Sequence, residues 1–183
     1  MTMFNSRKVL IAGGLCTLLA ACSADAQGNR QPPVRPQPGK ASPEVETMYP
    51  NACYQGIDPE KDVCLKNGRS EGPPVVVLGP ERAMGDLDAD GTPETALLLT
   101  RDPGDPQQQV YLVIAAWKGD KVVHLATTLL GYQVKVKSLK VAGGKLHLDG
   151  SRSASARTAM MPVTLTFSLR QGKLIEEPEG PQT

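Results

Sequence analysis

Apolar and polar residues alternate along much of the chain after Pro74. In "VTLTFSLR" (Val163 to Arg170), Val163, Leu165, Phe167 and Leu169 fall on one side, the period of a half-exposed strand. "YQVKVKSLKVA" repeats the pattern over several residues, with Val134, Val136 and Leu139 set against Lys135 and Lys137. "PPVVVLG", "ETALLLT", "VYLVIAAW" (Val110 to Trp117) and "KVVHLATTLL" (Lys121 to Leu130) are apolar or β-branched runs of strand length. "KLHLD" and "KLIEE" complete the set. The turn residues fall between these runs: "KGD" at Lys118, Gly143-Gly144, and Gln171-Gly172. Few segments have helical periodicity. The pattern predicts an all-β fold, a single mostly antiparallel domain over residues 49–177 with a loose polar tail at 178–183. A sandwich, a partial barrel and a twisted meander all satisfy it.

Upstream the pattern changes. "VLIAGGLCTLLAA" (Val9 to Ala21) is an apolar run behind Arg7 and Lys8, of signal-peptide length and shorter than a typical membrane span. It ends in Leu19-Ala20-Ala21-Cys22, which resembles the bacterial lipobox. The resemblance implies cleavage after residue 21 and a mature chain that begins at a lipidated Cys22, with a diacylglycerol thioether and usually an N-acyl group. Each buried methylene contributes about 0.8 kcal/mol, so several acyl chains hold a protein at the membrane. Ser23 follows the cysteine. In Gram-negative bacteria an aspartate there tends to retain lipoproteins at the inner membrane, so the resemblance implies the outer membrane, facing the periplasm. The alternative is an ordinary signal peptide cut near "ADAQ" (Ala24 to Gln27), which leaves a soluble periplasmic or secreted protein. Residues 22–48 are rich in Pro, Gln and Gly and poor in large apolar residues. Such a segment is expected to be a disordered tether, with an r.m.s. span of about 30 Å if it behaves as flexible coil.

Either export route sets the cysteine arithmetic. Cys16 lies in the signal segment and Cys22 takes the lipid. Cys53 and Cys64 remain, an even pair expected to form a disulfide in an oxidising compartment. The spacing does not suit a redox Cys-x-x-Cys, and no further Cys or His lies near the pair to complete a metal site.

Composition excludes one class of partner. The formal net charge is +1, too balanced for the concentrated basic field of a nucleic-acid binder.

The candidate chemistry lies in "GDLDADGTPETALLL" (Gly85 to Leu99). Counting from Asp86, carboxylates occupy positions one, three and five (Asp86, Asp88, Asp90), Gly91 is six, Thr92 is seven and Glu94 is nine. A tight loop turns alternate side chains toward one point, the glycine permits the turn, and the Thr92 carbonyl can also face inward. Hard oxygen donors in that arrangement suit Ca²⁺. Position twelve is Leu97, not the glutamate of a helix–loop–helix site, so strands are expected to flank the loop. The stretch resembles the FG-GAP calcium repeat of integrin-type β-propellers, with Glu94 where that pattern usually has Asp. A single copy argues against a full propeller. The order of loop, strand, "TTLLGYQV" and glycine hairpin also resembles a group of bacterial secreted or lipoprotein β domains with one such loop. The resemblance implies a structural calcium ion and an envelope location, and no activity.

Catalytic signatures are absent from the sequence: it has no G-x-S-x-G, no His-Glu-x-x-His and no P-loop. His124 and His147 lie in strand patterns, with His124 expected on one side with Val122 and Ala126. Asp102 and Asp105 lie in a proline-flanked loop. "SRSASARTAMM" (Ser151 to Met161) reads as a long inter-strand loop. The expectation is a non-catalytic envelope lipoprotein that binds a protein or envelope component, in one version an inhibitor or immunity protein against a cell-wall hydrolase. An envelope structural or assembly factor and an unrecognised hydrolase are the alternatives.

Overall fold

The apolar runs become strands that pair strictly with their chain neighbours. They are β1 (Cys53–Tyr54), β2 (Val63–Lys66), β3 (Arg69–Ser70), β4 (Val76–Gly85), β5 (Glu94–Arg101), β6 (Gln109–Lys118), β7 (Lys121–Ala142), β8 (Lys145–Ser153), β9 (Met161–Arg170) and β10 (Lys173–Glu177). Every pairing is antiparallel, and the sheet order is the chain order, a meander that does not close into a barrel. The all-β expectation holds. The computed structural model describes residues 47–155 and 157–178, all within one compact unit. The signal segment, Cys22, nearly all of the tether and residues 179–183 lie outside the described residues.

β7 departs from the sequence expectation. It is one strand of 22 residues, where the pattern suggested two strands that part near Gly131. Its first half pairs with β6 and its second half with β8. Register shifts fall on both sides, two against β6 and two against β8. Gly131 (φ 140°) and Gln133 (φ 49°) mark the bend. Bulges and positive φ values bend a strand without ending it, so β7 passes from one layer to the next. Layer one is β4, β5, β6 and the first half of β7. Layer two is the second half of β7 with β8, β9 and β10.

The core between the layers holds Ala96 and Leu98 of β5, Leu112 and Ile114 of β6, Leu146 and Leu148 of β8, and Leu165, Phe167 and Leu169 of β9. The layers meet at Gly85, where an added Cβ would lie 2.6 Å from Val141 Cγ1. β5 and β6 are buried on both faces. Their other face, with Leu97, Leu99, Val113 and Ala115, is covered by a flap formed by a 3₁₀ turn (Tyr49–Asn51), β1 and β2. This explains why "ALLL" and "YLVIAA" run apolar without alternation. Tyr49, Tyr54 and Ile57 of the flap are 2% exposed or less. Tyr54 donates to Tyr49 O (2.7 Å), and the Tyr49 hydroxyl meets Thr95 Oγ1 (2.7 Å). The Cys53–Cys64 disulfide staples the flap across the paired β1 and β2.

Two local readings also change. The bulge at Leu125 puts His124 on the flap side of β7 and Ala126 in the inter-layer core, so the two do not share a face. The segment from Ser151 to Met161 is shorter as a loop than it read, because Ser151–Ser153 belong to β8 and Met161 to β9. The buried Ser153 hydroxyl bonds both Thr158 Oγ1 (2.6 Å) and Thr158 O (2.8 Å) and organises that turn.

Candidate metal centre

The Asp-rich loop joins β4 to β5. Gly85 pairs with Glu94 across the strand ends, so the loop is a closed excursion of residues 86–93. Backbone amides bind its side chains. Gly91 N–H donates to Asp86 Oδ2 (3.1 Å), Asp90 N–H to Asp88 Oδ1 (3.1 Å) and Thr92 N–H to Asp90 Oδ1 (2.7 Å). The last two are Asx turns, the local geometry that Asp favours, and the first closes the loop across five residues. Gly91 has φ 86°, the left-handed region that glycine enters without a Cβ clash.

The structure brings Asp86, Asp88 and Glu94 together, with one carboxylate oxygen from each lying within 4.8 Å of the others. Ligand oxygens on one Ca²⁺ sit at about 2.3–2.6 Å from the ion, hence at most about 5 Å apart. The triad therefore fits a hard cation. Asp90 is exposed and stands outside this triad, with its carboxylate engaged by Thr92 N–H. Asp86 divides its oxygens: Oδ2 anchors the turn, and Oδ1 is buried with no hydrogen-bond partner. A buried carboxylate oxygen without a donor is costly unless a cation or water compensates it.

Glu94 is the best-buried member, at 1% exposure. It opens β5 on the inter-layer side, and its Oε2 accepts Leu87 N–H (2.7 Å). The additional methylene of Glu relative to Asp lets the carboxyl leave the strand end and still reach the loop backbone. Burial pushes the Glu94 carboxyl above its ordinary value of 4.5. The Leu87 amide opposes that shift, while Asp88, Asp90 and Asp86 add to it. Leu87, between two ligand candidates, points the other way and is 5% exposed in the inter-layer core. The alternation of Asp86, Leu87 and Asp88 was the sequence signal for that plug. The loop also abuts the β7–β8 hairpin, where a Cβ on Gly144 would lie 3.9 Å from Asp86 O.

The other sequence-selected residues lie elsewhere. His124 Nε2 meets Thr127 Oγ1 (2.7 Å), and Thr127 donates to Gln55 O of the flap (2.7 Å). His147 Nδ1 meets Thr166 Oγ1 (3.2 Å) on the outer face of layer two. Asp102 Oδ1 accepts Val75 N–H (3.1 Å), and Asp105 Oδ1 accepts Gln107 N–H (2.6 Å), so both organise loops. A groove of about 710 Å³ crosses β7 to β10, lined by Lys137, Ser138, Arg152, Thr164 and Glu176 among others. Arg152 faces Glu176 there (3.6 Å) and donates to Leu130 O (3.1 Å). Comparison with protein-family models, curated proteins and solved structures finds no match to this chain.

Proposed function

We propose that this chain is a non-catalytic cell-envelope lipoprotein whose β domain is held in its binding-competent form by one structural Ca²⁺. The observation that carries the metal reading is the unpartnered, buried Asp86 Oδ1 in a triad of the right span. In this reading Asp86, Asp88 and Glu94 supply carboxylate oxygens, with the Thr92 carbonyl and the Asp90 carboxylate completing the shell directly or through water. The ion is a clamp. It holds the Asp86 and Asp88 side chains in place, and so holds Leu87 in the core between the layers. The lipidated Cys22 and the tether display the domain at the membrane, and a protein or envelope component is its partner.

Two features support a binding role over a catalytic one. Each carboxylate of the loop accepts a backbone amide through one oxygen, and the two histidines each bond a threonine. The test is titration calorimetry with Ca²⁺ on the purified chain and on Asp86→Asn. One site is expected, with an affinity in the range of about 10⁻⁵–10⁻³ M for an extracytoplasmic module, weakened at least tenfold in the variant. Absence of binding to the wild type overturns the metal reading.

A further inference from the structure

The formal charge balance of the chain conceals a segregation that the fold converts into two opposed surfaces. Residues 47–120 carry twelve Asp and Glu against six Lys and Arg, whereas residues 121–178 carry nine Lys and Arg against three Asp and Glu. The first set builds the flap and β1 to β6, and the second builds β7 to β10.

Register fixes where the basic side chains of layer two point. Leu139, Leu148, Leu165, Phe167 and Leu174 belong to the inter-layer core or pack against it. Their chain neighbours therefore face outward. Lys140 stands opposite His147, His147 opposite Thr166, and Lys173 opposite Arg170. Lys135 and Lys145 share that outer face, and Lys137 sits exposed at the bulge between Val136 and Ser138. Two acids, Asp149 and Glu177, share the face. Asp149 accepts from Thr164 (3.0 Å), and Glu177 lies 2.5 Å from Lys145 and 3.7 Å from Arg170. Lys135, Lys137, Lys140 and Lys173 are exposed, and none has a carboxylate partner among the described residues. Four strands at about 4.8 Å and five residues of strand rise make this a surface of about 15 by 17 Å. Lys135, Lys137 and Lys140 follow one another at two to three residues of strand rise, about 7–10 Å, within a Debye length of about 8–10 Å, so neighbouring charges reinforce one another at physiological salt.

We propose that the outer face of β7 to β10 is an electrostatic docking surface for the anionic headgroups of a phospholipid bilayer. A bilayer fits the chemistry better than other polyanions do. The cations are mostly lysines, point charges on flexible stems that can follow a fluid array of phosphates. The face is a sheet surface with no Phe, Tyr or Trp on which unstacked bases could lie. Ile175, 44% exposed, shares the face and offers an apolar side chain to the headgroup region. The acidic half of the molecule, including the Asp-rich loop, belongs to the other strands, so docking orients the domain as well as holding it. The inference does not rest on the calcium reading.

The test is sedimentation of the full chain with phosphatidylcholine vesicles, with and without phosphatidylglycerol. Each lysine near an anionic surface changes partitioning about fivefold, so the triple variant Lys135→Gln, Lys140→Gln, Lys173→Gln is expected to lose about a hundredfold. A control variant, Lys61→Gln, Lys66→Gln, Lys118→Gln, removes the same charge from the other half and is expected to bind as the wild type does. The apolar stretch Val9–Ala21 is common to all three proteins and cancels in the comparison. Equal binding to both vesicle types, or equal loss in both variants, overturns the proposal. So does retention on immobilised heparin without vesicle binding, which would assign the face to a soluble polyanion.

Discussion

Thr127 has one hydroxyl proton and gives it to Gln55 O, so the His124 Nε2 at 2.7 Å from its oxygen carries the ring hydrogen. Burial lowers the imidazole below its ordinary value of 6.5, with Asp62 and a backbone bond at Ala126 opposing. The unfolded chain then binds the proton more readily than the folded one. Stability from this group is complete above pH 6.5 and is lost as pH falls through the lower folded value. An NMR titration of His124 is expected to have its midpoint below 6.5, and His124→Gln is expected to flatten the stability profile on the acid side of that value. A midpoint above 6.5 contradicts the burial argument. Gly150 is a second residue with a defined role. A Cβ there would sit 2.4 Å from Lys135 O, beside the β7 bulge. Backbone is the obstacle, so Gly150→Ala forces the strands apart. It is expected to cost roughly 1–3 kcal/mol in urea unfolding, the usual range for overpacking.

At the scale of elements the flap is the least securely paired part of the sheet. β1 meets β2 through two residue pairs, β2 meets β3 through two, and β3 meets β4 through one. Its hold comes from the disulfide and from burial of Tyr49, Tyr54 and Ile57. Replacing both cysteines by serine is expected to cost about 2–3 kcal/mol on the loop-entropy argument. Hydrogen exchange should quicken first in residues 49–66, with β8 and β9 still protected; uniform loss of protection would mean that the flap is not a separate unit. Strand existence was legible in the sequence wherever alternation was clear, as in β9. The cysteine pair followed from counting cysteines in an exported chain, and the spacing of the loop pointed to Asp86, Asp88 and Glu94 together with Asp90, which stands outside the triad. β1 to β3 were not legible, because two- and four-residue strands carry no periodicity. The bend in β7 was hidden because Gly131 reads as a turn until bulges on both sides let the strand continue. Glu94 was the uncertain ligand of the pattern and is the most buried member of the triad, since its position at the head of β5 only becomes inward-facing in register with Gly85.

For the whole molecule, the loop is a link between layers. Asp86 and Asp88 bracket Leu87, which fills the inter-layer core, and Asp86 O adjoins the β7–β8 hairpin. An ion bound there acts on global stability, not on one loop. At a free Ca²⁺ concentration of a hundred times Kd, linkage adds about 2.7 kcal/mol, a rise of roughly 10 °C in Tm for a domain of this size. Thermal unfolding in Ca²⁺ and in EDTA reads this directly; coincident curves would remove the ion from any structural role. The flap staple has a mechanical consequence. A pull applied to the chain upstream of Tyr49 reaches Cys53 and crosses the sulfur–sulfur bond to Cys64, eleven positions on, so the intervening loop bears no tension. At about 3.3–3.6 Å per residue, the intact bond withholds about 35–40 Å of contour from any extension. The same covalent link that seals the back of the sheet therefore sets how far the domain can be drawn from whatever holds its N-terminal end.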